Sequence, residues 1–203
     1  MSITGPLNVN NGGMLIMNNW NKSNAKWMIL YAVLYAAGTA IVCVTGAIHP
    51  VLFVCYQITA GILLSGIIIR AFARVKAPGA AVCLALGMLL LLVIIKDAAA
   101  WHVIPVIVIA IAAEIVRAVS KYSWIGDVIS TAIMSFSSFG YYGQIWFNRD
   151  FTYEAAIEEM RAGYGDTLMA VSPAGALPVV VIIGIIASVI ISNLTAKMYG
   201  LEK

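Results

Sequence analysis

The sequence is poor in charged residues, cysteine and histidine. Of its 203 residues, 10% are charged and 62% are hydrophobic, and it has 3 cysteines and 2 histidines. Cys43, Cys55 and Cys83 lie within apolar runs, at spacings typical of neither a disulfide framework nor a metal site. We interpret them as small buried hydrophobic residues. The basic residues form no cluster, which argues against binding to RNA or DNA.

Long apolar runs dominate the chain instead, and by length they predict membrane spans rather than helices of a soluble core. Each run can cross a hydrocarbon layer of roughly 30 Å at about 1.5 Å per residue. The predicted fold class is therefore all-α, a polytopic membrane protein with a bundle of six transmembrane helices. The predicted spans are residues 27–48, 51–69, 79–95, 101–119, 125–147 and 174–196, with a polar N-terminal segment at 1–26 and a tail at 199–203.

Basic residues are distributed unevenly over the two ends of these spans. With a cytoplasmic N-terminus, the inner side holds Lys22, Lys26, Arg70, Arg74, Lys76, Arg117, Lys121, Lys197 and Lys203, and the outer side holds Lys96, Arg149 and Arg161. The positive-inside rule therefore predicts a multi-pass protein of the cell membrane with both termini in the cytoplasm.

One connection, residues 148–173, is much longer than the others and lies outside in this topology. Loops of this length are usually functional or disordered. Thr152 as a candidate N-cap and Gly163 after the last turn predict a short helix within it. Its candidate lid face, at helical spacing, consists of Tyr153, Ile157, Met160 and Tyr164. Such a helix would either lie on lipid headgroups or close over a cavity.

The fifth span is more polar than exposure to lipid would favour, which predicts that other helices surround it. Ser137, Tyr141, Gln144 and Asn148 form one stripe of this helix. Polar and aromatic residues of other spans reach the same outer level, so we predict a small-molecule pocket that opens outward. The candidate substrate-binding residues are Tyr141, Gln144, Asn148, Trp101, His102, His49, Tyr56, Gln57 and Lys96.

Other interpretations of these residues stay open. Trp101, Tyr141 and Trp146 would equally suit an aromatic belt at the membrane interface. His49 and His102 are the only histidines and both fall at the outer surface, which motivates a haem-binding alternative. An intramembrane enzyme is disfavoured, because no His-x-x-x-His or Gly-x-Ser-x-Gly motif accompanies the acidic pair in the outer loop. The remaining alternative is a structural or assembly membrane protein that carries no cargo.

Two further patterns concern helix packing. Ala32, Ala36 and Ala40 recur at intervals of four in the first span, which predicts a flat groove for another helix. Glu114 and Arg117 are three residues apart in the inner half of the fourth span. They predict a structural ion pair, because each would offset the desolvation cost of the other; proton coupling is the alternative.

Four short motifs share their order and spacing with a known family. They are KAPG at 76–79, AEI at 113–115 followed by Arg117 and Tyr122, the small and polar fifth span with Gly140, and RDF at 149–151. Over residues 27–198 the chain thereby resembles the Trep_Strep family, also labelled MptD-like. Its members are regarded as S components of energy-coupling factor (ECF) transporters.

The resemblance implies a six-helix fold of S-component type in a bacterial cell membrane, with an outward-facing site closed by loops. The chain would then be no enzyme but the substrate-binding subunit of an ABC-type importer for a vitamin-like organic micronutrient, without a cofactor. As the resemblance further implies, its partners would be a transmembrane T component and two ABC ATPases. The chain itself has no phosphate loop ending in Gly-Lys-Ser or Gly-Lys-Thr, so the energy would come from another polypeptide.

The resemblance also assigns roles to individual residues and limits the cargo. T-component docking would fall on Ala32, Ala36 and Ala40. The connection after the first span is short, so the lid role would fall to residues 148–173. No histidine follows Met1 directly, which argues against a metal ion as cargo.

Overall fold

The computed structural model describes residues 20–201, and their regular structure is entirely helical, as the all-α prediction expects. Residues 1–19 of the predicted N-terminal segment and 202–203 of the predicted tail lie outside the described residues. The elements are α1 (Lys22–Ile48), α2 (Pro50–Val54), α3 (Tyr56–Arg74), α4 (Ala80–Ile94), α5 (Ala100–Val119), α6 (Trp124–Met134), a 3-10 turn (Ser135–Ser138), α7 (Phe139–Tyr142), α8 (Gln144–Phe147), α9 (Arg149–Glu159), α10 (Tyr164–Val171) and α11 (Ala176–Tyr199).

Four of the described helices are long and apolar enough to cross a membrane, namely α1, α3, α5 and α11. The third predicted span corresponds to α4, which is apolar but has only 15 residues. The fifth predicted span is divided into α6, the 3-10 turn, α7 and α8. A total of six spans therefore stays a prediction.

Local hydrogen bonds of small polar side chains accompany the division of the fifth predicted span. The Ser135 hydroxyl donates to the carbonyl oxygen of Ala132 at 2.7 Å, and the Thr131 hydroxyl donates to that of Asp127 at 2.7 Å. Such bonds compete with the backbone ladder of an α-helix and bend it. The predicted helix is interrupted where these residues are concentrated.

The first two predicted spans differ from the structure mainly at their ends. α1 begins at Lys22 rather than at residue 27, because the Asn21 side chain accepts from the backbone N–H of Asn24 and caps the helix. The second span contains a break at Cys55 between α2 and α3. α3 then continues past the predicted end at residue 69 to Arg74.

α3 packs against α1, α6 and α11, and so occupies the middle of the bundle. Its contact with α11 requires glycine, because a Cβ on Gly61 would lie 2.4 Å from the carbonyl oxygen of Gly184. In the same interface the Ser65 hydroxyl donates to that of Ser188 at 2.7 Å. Close backbone approach with polar links is typical of helix packing in membranes.

The alanine stripe of α1 is used within the chain. Ala32 and Ala36 are each 7% exposed, and Ala40 is half-buried. α1 packs against α4 there, so closely that a Cβ on Gly87 would lie 2.6 Å from the carbonyl oxygen of Ala32. At Ala32 and Ala36 the stripe is therefore covered by the chain itself, and these two residues offer no exposed groove to a T component.

Arg117 is fully buried and forms the centre of a charged cluster. Its Nε donates to Oδ1 of Asp127 at 2.8 Å, whereas its Nη1 lies 3.8 Å from Oε1 of Glu114. Its Nη2 donates to the carbonyl oxygen of Val75 at 2.7 Å. The predicted pair of Glu114 and Arg117 thus belongs to a larger cluster, whose closest ionic contact is with Asp127. These three residues are called the arginine cluster below.

Candidate functional site

A cavity of about 430 Å³ opens at one end of the bundle. It is enclosed by parts of α1–α3, the turn after α4, α5, and the segment from α7 to α10. The lining residues are Cys43, Gly46, Ala47, Phe53, Tyr56, Asp97, Trp101, His102, Tyr141, Gln144, Phe151, Thr152, Ala155, Ala156, Glu159, Met160 and Tyr164. This end is called the cavity end. α5 runs from there towards the arginine cluster, which lies at the opposite end.

Asp97 holds one wall of the cavity together. Nδ1 of His102 lies 3.1 Å from both Oδ1 and the carbonyl oxygen of Asp97. The Tyr141 hydroxyl donates to Oδ2 of the same carboxylate at 2.5 Å. The two rings stack, with centroids 3.8 Å apart and planes 16° apart. Residues from three different segments thus form one hydrogen-bonded aromatic wall.

The turn after α4 places the Asp97 carboxylate. The backbone N–H of Asp97 donates to the carbonyl oxygen of Leu92, and that of Lys96 donates to Val93. Together with the positive φ of Lys96, 60°, these bonds make a Schellman-type helix end. The turn directs the chain from α4 to α5 and leaves the Lys96 side chain exposed.

Two tyrosines close the cavity from the side of α1. The Tyr56 hydroxyl donates to the carbonyl oxygen of Cys43, and the Tyr164 hydroxyl donates to that of Gly46 at 2.5 Å. Glycine is required at position 46, because a Cβ there would lie 2.1 Å from the Tyr56 hydroxyl oxygen. Burial raises the pKa of Tyr164 to about 12, so its hydroxyl stays protonated and bonded above the ordinary tyrosine pKa of about 10.

The structure brings five of the nine candidate substrate-binding residues together around the cavity. They are Tyr56, Trp101, His102, Tyr141 and Gln144. These five residues belong to four separate helices, α3, α5, α7 and α8. Within the described residues the Gln144 amide has no hydrogen-bond partner, so this amide is available to a bound molecule.

The other four candidates lie away from the cavity. Nδ1 of His49 accepts from the backbone N–H of Val51 and caps α2. Gln57 is fully buried and bridges the hydroxyls of Ser135 and Tyr142 inside the bundle. Both remaining side chains, those of Lys96 and Asn148, are exposed.

α9 covers the cavity, and α10 follows it in the outer loop. α9 begins at Arg149 and not at the predicted N-cap Thr152, whose hydroxyl instead donates to the carbonyl oxygen of Asn148. The guanidinium of Arg149 donates to the carbonyl oxygens of Met169 and Ser172 at 2.7 and 2.8 Å. α9 is thereby tied to the end of the same loop.

The predicted lid face is divided by a turn. α9 ends at Glu159, and Gly163, with φ 77°, redirects the chain into α10. Met160 and Tyr164 line the cavity, whereas Ile157 is 59% exposed. Tyr153 donates to Oδ1 of Asp166 at 2.8 Å, and this bond raises the pKa of Tyr153.

Several lining residues have no counterpart among the candidates from the sequence. α9 presents another face to the cavity, made of Phe151, Thr152, Ala155, Ala156 and Glu159. These positions also follow helical spacing. The face predicted from the sequence is a different one, because it combines aromatic residues on both sides of the turn. For Asp97, an acid directly after an apolar span was the available signal.

No group of three or more His, Cys, Asp or Glu side chains suited to a metal ion occurs within residues 20–201. His102 and Asp97 approach each other at the cavity, but no third such ligand joins them there.

A family model matches most of the chain. The model of a family described as "Hypothetical bacterial integral membrane protein (Trep_Strep)" matches residues 27–200, a range that includes every residue lining the cavity. No curated protein and no solved structure matches the chain.

Proposed function

Because the chain belongs to the Trep_Strep family of hypothetical bacterial integral membrane proteins, we propose that it is the substrate-binding S component of an ECF-type ABC importer. It captures a small organic, vitamin-like micronutrient at the outer face of the cell membrane. A transmembrane T component and two ABC ATPases supply the energy and complete the uptake. The observation that carries this proposal is the lidded, aromatic cavity at one end of the bundle.

The cavity has the size and composition of a small-molecule site. Its volume of about 430 Å³ falls in the range of roughly 300–1,000 Å³ typical of ligand pockets. Trp101 and Phe151, with ring centroids 6.0 Å apart, supply apolar faces beside the stacked wall. Gln144 and Glu159 supply directional polar contacts. Such a mixture favours one organic ligand over bulk lipid.

In the proposed topology the cavity faces outward. The chain crosses six times, as α1, α2–α3, α4, α5, α6–α8 and α11. The arginine cluster and the basic residues Arg74, Lys76 and Lys121 lie at the end opposite the cavity. The positive-inside rule places that end in the cytoplasm, where the ATPases act.

A haem cargo is less well supported than an organic micronutrient. Only one of the two histidines that motivate a haem site, His102, lines the cavity. The carboxylates of Asp97 and Glu159 would also repel the propionates of haem. We therefore propose a ligand without iron.

Recovery of partners from native membranes tests the importer assignment. The tagged chain, purified in mild detergent and analysed by protein mass spectrometry, is expected to bring a T component and two ABC ATPases. A purified chain that binds its small molecule but brings none of these subunits, even after chemical cross-linking in the membrane, would contradict the assignment. A tagged, unrelated polytopic protein from the same membranes serves as the control.

A further inference from the structure

The phenol O–H groups that line the cavity donate their hydrogen bonds within the protein. Tyr56 and Tyr164 donate to backbone carbonyl oxygens of α1, and Tyr141 donates to the carboxylate of Asp97. A phenol has a single O–H, so only oxygen lone pairs remain for a ligand. Towards the cavity, these three side chains act as acceptors.

The neutral ring of His102 likewise offers a ligand a hydrogen-bond acceptor and not a donor. Its Nδ1 lies 3.1 Å from two oxygens of Asp97, one carbonyl and one carboxylate, and both oxygens can only accept. The hydrogen bonds therefore require the proton on Nδ1. In the neutral ring Nε2 then carries a lone pair and is a further acceptor.

The charge of the lining is negative. Asp97 enters from the turn between α4 and α5, and Glu159 enters from α9, on a different side of the cavity. No lysine or arginine is among the lining residues. The stronger side-chain donors left to a ligand are the amide of Gln144 and the indole N–H of Trp101.

From this arrangement we infer that the cavity selects a planar organic cation with N–H donors, such as an amine- or amidine-bearing aromatic ring. Acceptors and carboxylates complement its N–H groups and its charge, and the rings of Trp101, Phe151 and Tyr141 complement its plane by stacking and cation–π contact. The inference rests on the proposed capture of a small molecule in this cavity, and names its chemical class.

Three probes of one shape but different charge test the inference. They are 2-naphthamidine, which is a cation at neutral pH, the neutral 2-naphthamide and the anionic 2-naphthoate. Their affinities for the full chain, purified in detergent and freed of bound molecules by extensive washing, are measured by isothermal titration calorimetry. The amidine is expected to bind at least about tenfold more tightly than either other probe, because it alone can donate charge-assisted hydrogen bonds to the lining carboxylates.

Charge-neutralising variants of nearly equal shape locate the selection. Glu159→Gln is expected to reduce the preference for the amidine over the amide by about tenfold. Glu158→Gln is the matched control, because Glu158 is the neighbouring exposed acid of α9 and does not line the cavity. It is expected to leave the preference unchanged.

Equal or tighter binding of the amide or the carboxylate would overturn the inference, as would equal effects of Glu159→Gln and Glu158→Gln. Failure of all three probes to bind would overturn it too. None of these results decides whether the T component and the ATPases are recovered with the chain. The proposed function and the ligand class therefore fail by different measurements.

Discussion

The imidazole of His102 lies flat on the ring of Tyr141, with ring centroids 3.8 Å apart, and the same carboxylate, that of Asp97, hydrogen-bonds both. The two rings come from α5 and α7, and Asp97 comes from the turn before α5. Because each group is held by the other two, the wall is fixed before a ligand arrives. Preorganisation of this kind reduces the entropic cost of binding.

Gly140 allows α5 and α7 to approach closely enough for this stack. A Cβ at position 140 would lie 2.2 Å from the carbonyl oxygen of Trp101. Gly140→Ala is therefore expected to push the helices apart and to destabilise the protein by about 1–3 kcal/mol. Thermal unfolding in detergent measures the change. Gly175→Ala, at a glycine with open space around its Cβ direction, is the control and is expected to be neutral; equal effects of both substitutions would contradict this explanation.

Gln57 and Gln144 are expected to separate stability from binding. Gln57→Leu leaves the buried Tyr142 hydroxyl without its acceptor, which costs about 1–3 kcal/mol, whereas the Ser135 hydroxyl keeps its bond to Ala132. Gln144→Leu removes a cavity amide with no described partner, so it is expected to lower ligand occupancy several-fold without changing stability. Thermal unfolding and native mass spectrometry measure the two quantities. The reverse pattern would place the ligand against Gln57 instead.

The bond from Tyr164 on α10 to Gly46 on α1 is expected to depend on pH. Burial raises its pKa to about 12, from about 10 in an unfolded chain. The stabilisation is complete below pH 10 and is lost as the pH rises towards 12, because the unfolded phenol ionises first. The absorbance difference at 295 nm between wild type and Tyr164→Phe is expected to titrate near pH 12, and the stability advantage of the wild type is expected to shrink as the pH rises from about 10 to about 12. A titration near pH 10 would contradict a buried, bonded hydroxyl.

The arginine cluster is expected to stabilise the end of the bundle opposite the cavity. Arg117→Met leaves the buried carboxylate of Asp127 unpaired, and breaking a buried pair in this way costs about 3–5 kcal/mol. The double variant Arg117→Met/Asp127→Leu is expected to recover part of the loss. Unfolding in a denaturing detergent series measures both, with the exposed Lys26→Met as the control. A double variant less stable than the single one would show that the charges themselves are required.

The sequence indicates the helices well where a continuous apolar run defines them. α5 begins and ends within one residue of its predicted span, 101–119. The fifth span was less predictable, since its alternation of small polar and apolar residues supports both a continuous helix and one broken by serine bonds. For α9, the turn at Gly163 shifts the periodicity, so the face that covers the cavity differs from the predicted one.

The sequence predicts that Tyr141, Gln144 and Trp101 reach the same end of the bundle, and in the structure all three line the cavity. Their individual contacts were not predictable. Depth alone cannot tell inward from outward side chains, and Gln57 lies at a similar level but bonds within the bundle. Asp97 hydrogen-bonds two aromatic side chains of other helices because the Schellman-type turn after α4 places its carboxylate beside them.

The central claim is that the cavity at the end of α1 holds one small organic molecule. Native mass spectrometry of the chain purified from its own membranes measures this directly, with Ala155→Trp filling the cavity from α9 and Ala37→Trp, on an exposed position of α1, as the matched control. We predict one organic molecule per chain in the wild type and in Ala37→Trp, and none in Ala155→Trp. A wild-type chain without a bound molecule, or equal occupancy in Ala155→Trp, would contradict the claim.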